Sequence, residues 1–341
     1  MPASSTILGQ HFAYAHGRMG VLKLLLLEQS DVDRLLGAKD LRETEKILTE
    51  LKLTNVIDQG LSEGHAILEA VGTWMRNEVQ KMSPLVSRPI FGILWLENDA
   101  PLLAYLLKKS HGLSSEISQE PLSGMNMYDP EVLRALILNE PSAGLHPAVP
   151  KSLESFVKKI LAKEELSAQE IDSAVTKFVV QMQKRLSKTS GSRSIERYLE
   201  HRIDLFNIRT ALRLSTKETK EVIPFLIEGG TIDPARLAGT EEEIASAIGR
   251  SKLSIFLPKD LESLLNDPIE FEQSAAHIVA SDIAKMWNVP LTIDPLFAFA
   301  AITLGQLKLI RTILIAKNNE LSPQETKHVL PPFLTASSFA S

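Results

Sequence analysis

The chain is 341 residues long, 44% hydrophobic and 23% charged, with 37 basic and 42 acidic residues and a formal net charge of −5. That length accommodates two or three domain-sized units or one extended repeat array. The near balance of charge leaves no basic footprint for nucleic acid, and the absence of cysteine excludes disulfides, thiolate zinc sites, iron–sulfur clusters and cysteine nucleophiles.

In chain order, residues 1–18, MPASSTILGQHFAYAHGR, lack the basic start and continuous apolar run of a signal peptide. Residues 21–51 are leucine-rich, with charged residues on the remaining helical faces, which predicts amphipathic helices. PIFGILWL at 89–96 and SIFL at 254–257 are short apolar runs that read either as strands or as the lead into a helix. Segments 152–166 and 171–186 return to helical spacing, the first through Leu153, Phe156, Val157, Ile160 and Leu161. Turn chemistry concentrates in NEPSAGLHPAVP (139–150), KTSGSRS (188–194) and EGGT (228–231), and the first two are expected hinges between units.

Helix starts are marked by four Asp-Pro pairs, at Asp129, Asp233, Asp267 and Asp294. An aspartate N-cap accepts from orphan N–H groups, and proline loses no hydrogen bond at the first helical position. Asp267–Glu270, Ser322–Glu325, Ser167–Glu170 and Thr240–Glu243 have capping-box spacing. No window approaches the ~18 to 20 uncharged apolar residues of a spanning helix. The best one, 295–307, ends at Lys308 and follows Asp294. The expectation is an all-α, soluble or peripheral protein.

One segment repeats. DLFNIRTALR from Asp204 and QLKLIRTILI from Gln306 lie 102 residues apart, and DAPLLAYLLK from Asp99 lies 105 residues upstream of Asp204. Nearly equal spacings predict three copies of one helical unit, with approximate boundaries 1–120, 121–230 and 231–341. Within the copies, Ile208, Leu212, Ile310 and Leu314 read as core. Arg209 and Arg311 either carry their charge from the core edge to water or line a surface that meets a partner. Lys108 and Arg213 sit at or near equivalent places, and the same alternative holds for them.

Asp204-Leu-Phe-Asn207-Ile-Arg209-Thr-Ala-Leu-Arg213, followed by Gly229-Gly230 within FLIEGGTI (225–232), resembles the signature of the C-type subunit of the A/V-type ATPases, counterpart of the d-type subunit of eukaryotic V-ATPases. Residues 12–48 and 295–330 are similar to that family's opening and closing helices. The sequence departs from the family pattern at Phe299, where tyrosine is usual, and at Gln306, where glutamate is usual. Leu102 stands at the position equivalent to Asn207, and Arg18 remains of the N-terminal pattern, with Gly17 and Gly20 around it. The resemblance implies three similar helical bundles forming a funnel about a pseudo-threefold axis. It also implies a non-catalytic rotor adapter, bound by the central stalk and the membrane rotor ring at the cytoplasmic face of the membrane. Asp204, Asn207, Gly229 and Gly230 would be its structural motif, and Lys108, Arg209, Arg213 and Arg311 its candidate partner-facing residues.

Catalytic chemistry finds no motif. There is no phosphate-cradling Gly-x-x-x-x-Gly-Lys-Ser/Thr, no His-Glu-x-x-His and no Gly-x-Ser-x-Gly, so no nucleotide, metal or cofactor site is expected. The glycines of EGGTID make a turn and helix start. His11 and His16 would splay on a helix. Glu164, Glu165, Glu241, Glu242 and Glu243 suit solvated helix starts or faces. The competing readings are a free-standing helical scaffold for an unrelated protein and an all-α enzyme with a dispersed site.

Overall fold

The computed structural model describes residues 3–113, 123–138, 149–214, 218–257, 268–330 and 333–335. The described residues form helices and connecting turns, with no strand. They divide into two compact units, one of Met1–Arg88 with Ser190–Ser341, the other of Pro89–Thr189. The second crossing between them falls inside the 188–194 turn, where Gly191 takes φ 67°. The 139–148 part of the other expected hinge lies outside the described residues.

The larger unit begins with α1 (Ala3–Leu22), α2 (Gln29–Gly37), α3 (Leu41–Thr49) and α4 (Gly64–Met82). It resumes with α9 (Arg193–Arg213), α10 (Thr219–Val222), α11 (Pro234–Leu237) and α12 (Glu241–Arg250), and ends with α13 (Pro268–Trp287), α14 (Asp294–Asn318) and α15 (Pro323–Val329). Helix α14 is its axis, packed against α1, α2, α3, α4 and α13. Its buried residues run through Leu296, Phe297, Phe299, Ile302, Leu307, Ile310 and Ile313, so it is apolar on nearly all sides, as a surrounded helix must be. A neighbouring core joins α9 to α12 and α13 through Ile208, Leu237, Ile244, Ile248, Phe271 and Ile278.

The smaller unit contains α5 (Gly92–Ser110), α6 (Pro130–Leu138), α7 (Lys151–Leu161) and α8 (Ala168–Ser190). Its core gathers Leu103, Leu106, Leu107, Leu133, Leu153, Val157, Ile171 and Val175. Phe156 of α7 stacks on Phe178 of α8 at 4.3 Å.

The strand alternative is corrected at both places. Residues Leu85–Phe91 form a 3₁₀ turn running into α5, and Lys252–Ile255 are also 3₁₀. Ile90, Phe91, Ile93, Leu94, Trp95 and Leu96 are all buried. An unbroken apolar run of this kind also marks a helix enclosed on every side, and periodicity cannot separate the two.

Two helices nevertheless pass a looser test of length and hydropathy. By length and composition alone two helical stretches, Leu85–Ser110 and Asp294–Asn318, are long and apolar enough to cross a bilayer, although charged residues interrupt both, Glu97 and Asp99 in the first, Lys308 and Arg311 in the second. In the structure 67% of each apolar window is buried within the protein, which is the environment of a core helix.

Most local signals act as their chemistry dictates. Ser322–Glu325 and Thr240–Glu243 form reciprocal capping boxes, as do Ser167 and Glu170. Asp129 and Asp233 accept from Glu131 N and Ala235 N at 2.8 and 3.0 Å. Asp267 lies outside the described residues. Asp294 does not cap: α14 starts at Asp294 itself, and its carboxyl is buried. Burial raises its pKa, and the hydroxyls of Ser192 and Ser194 work against that rise.

The sign of this shift yields an expected result. The folded state keeps the Asp294 proton to higher pH than the unfolded chain does. Its contribution is therefore greatest below the unfolded value of about 4 and falls as pH rises through the raised folded value. Serine hydroxyls can donate or accept, so the amide of Asp294→Asn can be accommodated. Urea unfolding should show that fall flattened in the variant, with stability near neutral pH within about 1 kcal/mol of wild type or above it.

Candidate functional site: a repeated helix-to-loop clasp

The family-type motif on α9 is fully buried, and its polar groups point at the loop that follows. Asp204 Oδ2 accepts from Thr231 N at 2.9 Å and from the Thr231 hydroxyl at 2.6 Å, while Oδ1 accepts from Ile232 N at 3.0 Å. One turn on, Asn207 Nδ2 donates to Ile227 O at 2.7 Å, and its Oδ1 accepts from Ile227 N at 2.8 Å. The side chains at i and i+3 share a helix face, so both reach the same returning segment. Burial pushes the Asp204 carboxyl upward, and the Thr231 and Ile232 donors, with His201, oppose it.

The two glycines complete the fit. Gly229 has φ 110°, a conformation that side chains avoid. A Cβ on Gly230 would overlap Asp204 Oδ1 and lie 2.8 Å from its Cγ. The glycine pair therefore serves the approach of backbone to carboxylate. Asp204, Asn207, Gly229 and Gly230 are brought together as one device.

Comparable side-chain-to-backbone contacts occur at Asp99 and Gln306. On α5, Asp99 Oδ2 accepts from Met127 N and Tyr128 N at 3.0 and 3.2 Å. Burial, with Asp99 beside it, pushes the Tyr128 hydroxyl up to about 12. On α14, Gln306 Oε1 accepts from Leu27 N at 3.0 Å, and its Nε2 donates to Leu334 O at 2.8 Å. Each clasp ends just before a helix cap: Tyr128 precedes Asp129, Ile232 precedes Asp233, and Leu27 precedes Glu28, the N-cap of α2. At Gln306 one clasped segment, around Leu27, lies 279 residues away in the chain. Lys317 reinforces that closure, its Nζ donating to Leu36 O and Ala38 O at 2.8 and 2.6 Å, at the C-terminus of α2.

The four candidate cations have separate surroundings. Lys108 on α5 pairs with Asp172 on α8 at 2.7 Å. Arg209 on α9 grips Glu272 on α13 through two nitrogens, at 2.5 and 2.6 Å, and lies 5.8 Å from the Phe271 ring. Arg213 is exposed in the last turn of α9, with no ion-pair partner among the described residues. Arg311 is half-buried on α14 and engaged within the fold. Both Arg209 and Lys108 thus join one helix to another.

The sequence model of the ATP synthase (C/AC39) subunit family matches residues 15–329. The chain belongs to that family. No curated protein matches closely enough to add a relative. As a member, the chain is an accessory rather than catalytic subunit of a membrane-associated V/A-type ATPase. Among the described residues, no group of three or more His, Cys, Asp or Glu is placed to hold a metal ion.

Sequence reasoning missed Lys317 as a link between chain ends, because its partners are backbone carbonyls 279 and 281 residues away. It also missed Asp282, a buried carboxylate on α13 that meets His201 Nδ1 at 2.7 Å and Arg197 Nε at 3.4 Å. The only available signal was an aspartate in an apolar helical stretch.

Proposed function

We propose that the chain is the rotor adapter of its rotary ATPase, standing between the central stalk and the membrane rotor ring at the cytoplasmic face. In that role it transmits torque for ion transport coupled to ATP hydrolysis or synthesis. The observation that carries this reading is the clasp at Asp99, Asp204 and Gln306. A torque coupling must resist twist. Buried side chains bonded to backbone groups, the carboxylates of Asp99 and Asp204 and the amide of Gln306, fix each of these helices to a loop with geometry that has few alternatives.

The proposal includes a threefold organisation, with helical repeats in 1–120, 121–230 and 231–341 forming a funnel. The recurrence of one clasp supports it. Lys108, Arg209, Arg213 and Arg311 are proposed to face the stalk. Arg213 can do so at once, whereas Arg209 and Lys108 would exchange Glu272 and Asp172 for acids of the partner.

Two experiments test this reading. Gentle purification of the protein from its native membrane should bring down stalk and ring subunits, and their absence would overturn the adapter role. Replacing Arg209 and Arg311 together by alanine should weaken stalk binding about tenfold. The Arg209 change should cost little stability, since an exposed ion pair contributes only ~0–1 kcal/mol, and Arg209→Ala alone serves as the comparison because Arg311 is engaged within the fold. Unchanged stalk affinity would remove these arginines from the interface.

A further inference from the structure

One end of the larger unit combines exposed aliphatic side chains with uncompensated positive charge. Gly64, at the start of α4, lies against Leu314, near the end of α14. These two helices pack along their length, so they run antiparallel. With a rise of ~1.5 Å per residue, the end of α4 lies level with the start of α14. Helix α13 ends at Trp287, with six residues between it and the start of α14 at Asp294, so its last turn lies there too.

At this end Leu85, Val86 and Leu291 are 75%, 80% and 49% exposed. Leu291 has φ 59°, a left-handed conformation that is strained for leucine. An apolar residue is thus held in a costly conformation and turned to solvent. Lys81, Arg88 and Lys285 lie in the same turns, and residues 79–91 and 283–293 contain no acidic residue. The nearby Glu78 is held by Arg18, and Glu196 and Glu200 by Arg193. Asp294 is buried.

We propose that this end, through Leu85, Val86 and Leu291 with Lys81, Arg88 and Lys285, docks on an anionic lipid surface. Short aliphatic tips enter the headgroup layer, while flanking cations meet lipid phosphates, the combination by which interfacial proteins hold to membranes. The charge at this end decides between occupants: exposed Lys81 and Lys285, with half-buried Arg88 donating to Ser83 O, and no acidic residue in 79–91 or 283–293, match a surface of many mobile phosphates. Lipid docking of this kind does not depend on the adapter role, because bare vesicles carry neither stalk nor ring.

The test is sedimentation of the full chain with vesicles of phosphatidylcholine alone or mixed with phosphatidylserine, at low and high salt. Wild type should bind the phosphatidylserine vesicles and be released by salt. The combined Leu85→Ser, Val86→Ser and Leu291→Gly variant should lose binding, and its fold should survive because the removed groups are exposed and glycine suits position 291. Lys81→Glu with Lys285→Glu should lower partitioning about fivefold or more for each charge reversed. This second pair carries the test if the first variant melts early. Failure of wild type to sediment with anionic vesicles would overturn the proposal, as would binding that both variants leave unchanged. If bare vesicles never bind, but the aliphatic variant abolishes capture by isolated rotor rings, the face is a protein interface and the lipid proposal falls.

Discussion

Gly230→Ala should destabilise the larger unit by about 3 kcal/mol or more, with thermal and urea unfolding midpoints both moving down. The added Cβ would overlap Asp204 Oδ1, and neither side of that contact has room. Asp204 is fully buried and held by three hydrogen bonds from Thr231 and Ile232. If the carboxylate turns aside, a buried charge and two backbone N–H groups lose their partners. Groups of that kind cost ~1–3 kcal/mol each when neutral and more when charged. If the loop retreats instead, Asn207 loses its paired bonds to Ile227, at 2.7 and 2.8 Å.

Gly239→Ala is the control. Its Cβ would overlap Glu243 Oε2, much as at Gly230. However, Glu243 is exposed and can swing away, giving up only its bond to Thr240 N at 2.9 Å. About 1 kcal/mol, the worth of a helix cap, is the expected loss. A double-mutant cycle sharpens the assignment. Asp204→Ala removes the group that a methyl at position 230 would strike, so the double variant should cost no more than Asp204→Ala alone. Simple additivity would show that the two residues do not act as one device.

The sequence carried the local decisions and lost the distant ones. Capping at Ser322, Thr240 and Ser167 was legible because cap and partner lie three residues apart. Asp99, Asp204 and Gln306 stood out as a set because they fall at nearly equal spacing, although the stretch around Asp99 shares little else with the other two. What the three residues do was not legible, since each reaches backbone atoms 28 or so residues away, or, for Leu27, 279 residues away. Backbone donors leave no side-chain signature in a sequence. Asp294 failed for a related reason: Asp-Pro is the same local pattern whether the carboxylate caps its helix or turns inward toward Ser192 and Ser194. The candidate cations were found as positions, but their acids, Asp172 and Glu272, lie 64 and 63 residues further on.

Gln306 offers the second large effect, because its amide does two different things. Its oxygen accepts from Leu27 N and its nitrogen donates to Leu334 O, and the side chain is fully buried. Gln306→Leu should leave both backbone groups orphaned and cost about 2–4 kcal/mol. The residue usual in the resembling family, glutamate, separates the two roles. In Gln306→Glu the carboxylate still accepts from Leu27 N, but it has no proton for Leu334 O and places a charge in a dry site. Its folded pKa should therefore rise above the ordinary value of about 4.3. The linkage has a definite sign: the raised group favours the folded state when protonated, so stability is lost as pH rises through the folded value. Near neutral pH the variant should unfold well below wild type, and it should recover as pH falls toward about 5, where the protonated acid can donate as the amide does. Gln306→Leu has no proton to gain and should show no such recovery. Parallel pH profiles for the two variants would mean that Gln306 serves only as packing, and that Lys317 is the polar link between α14 and the α2 end.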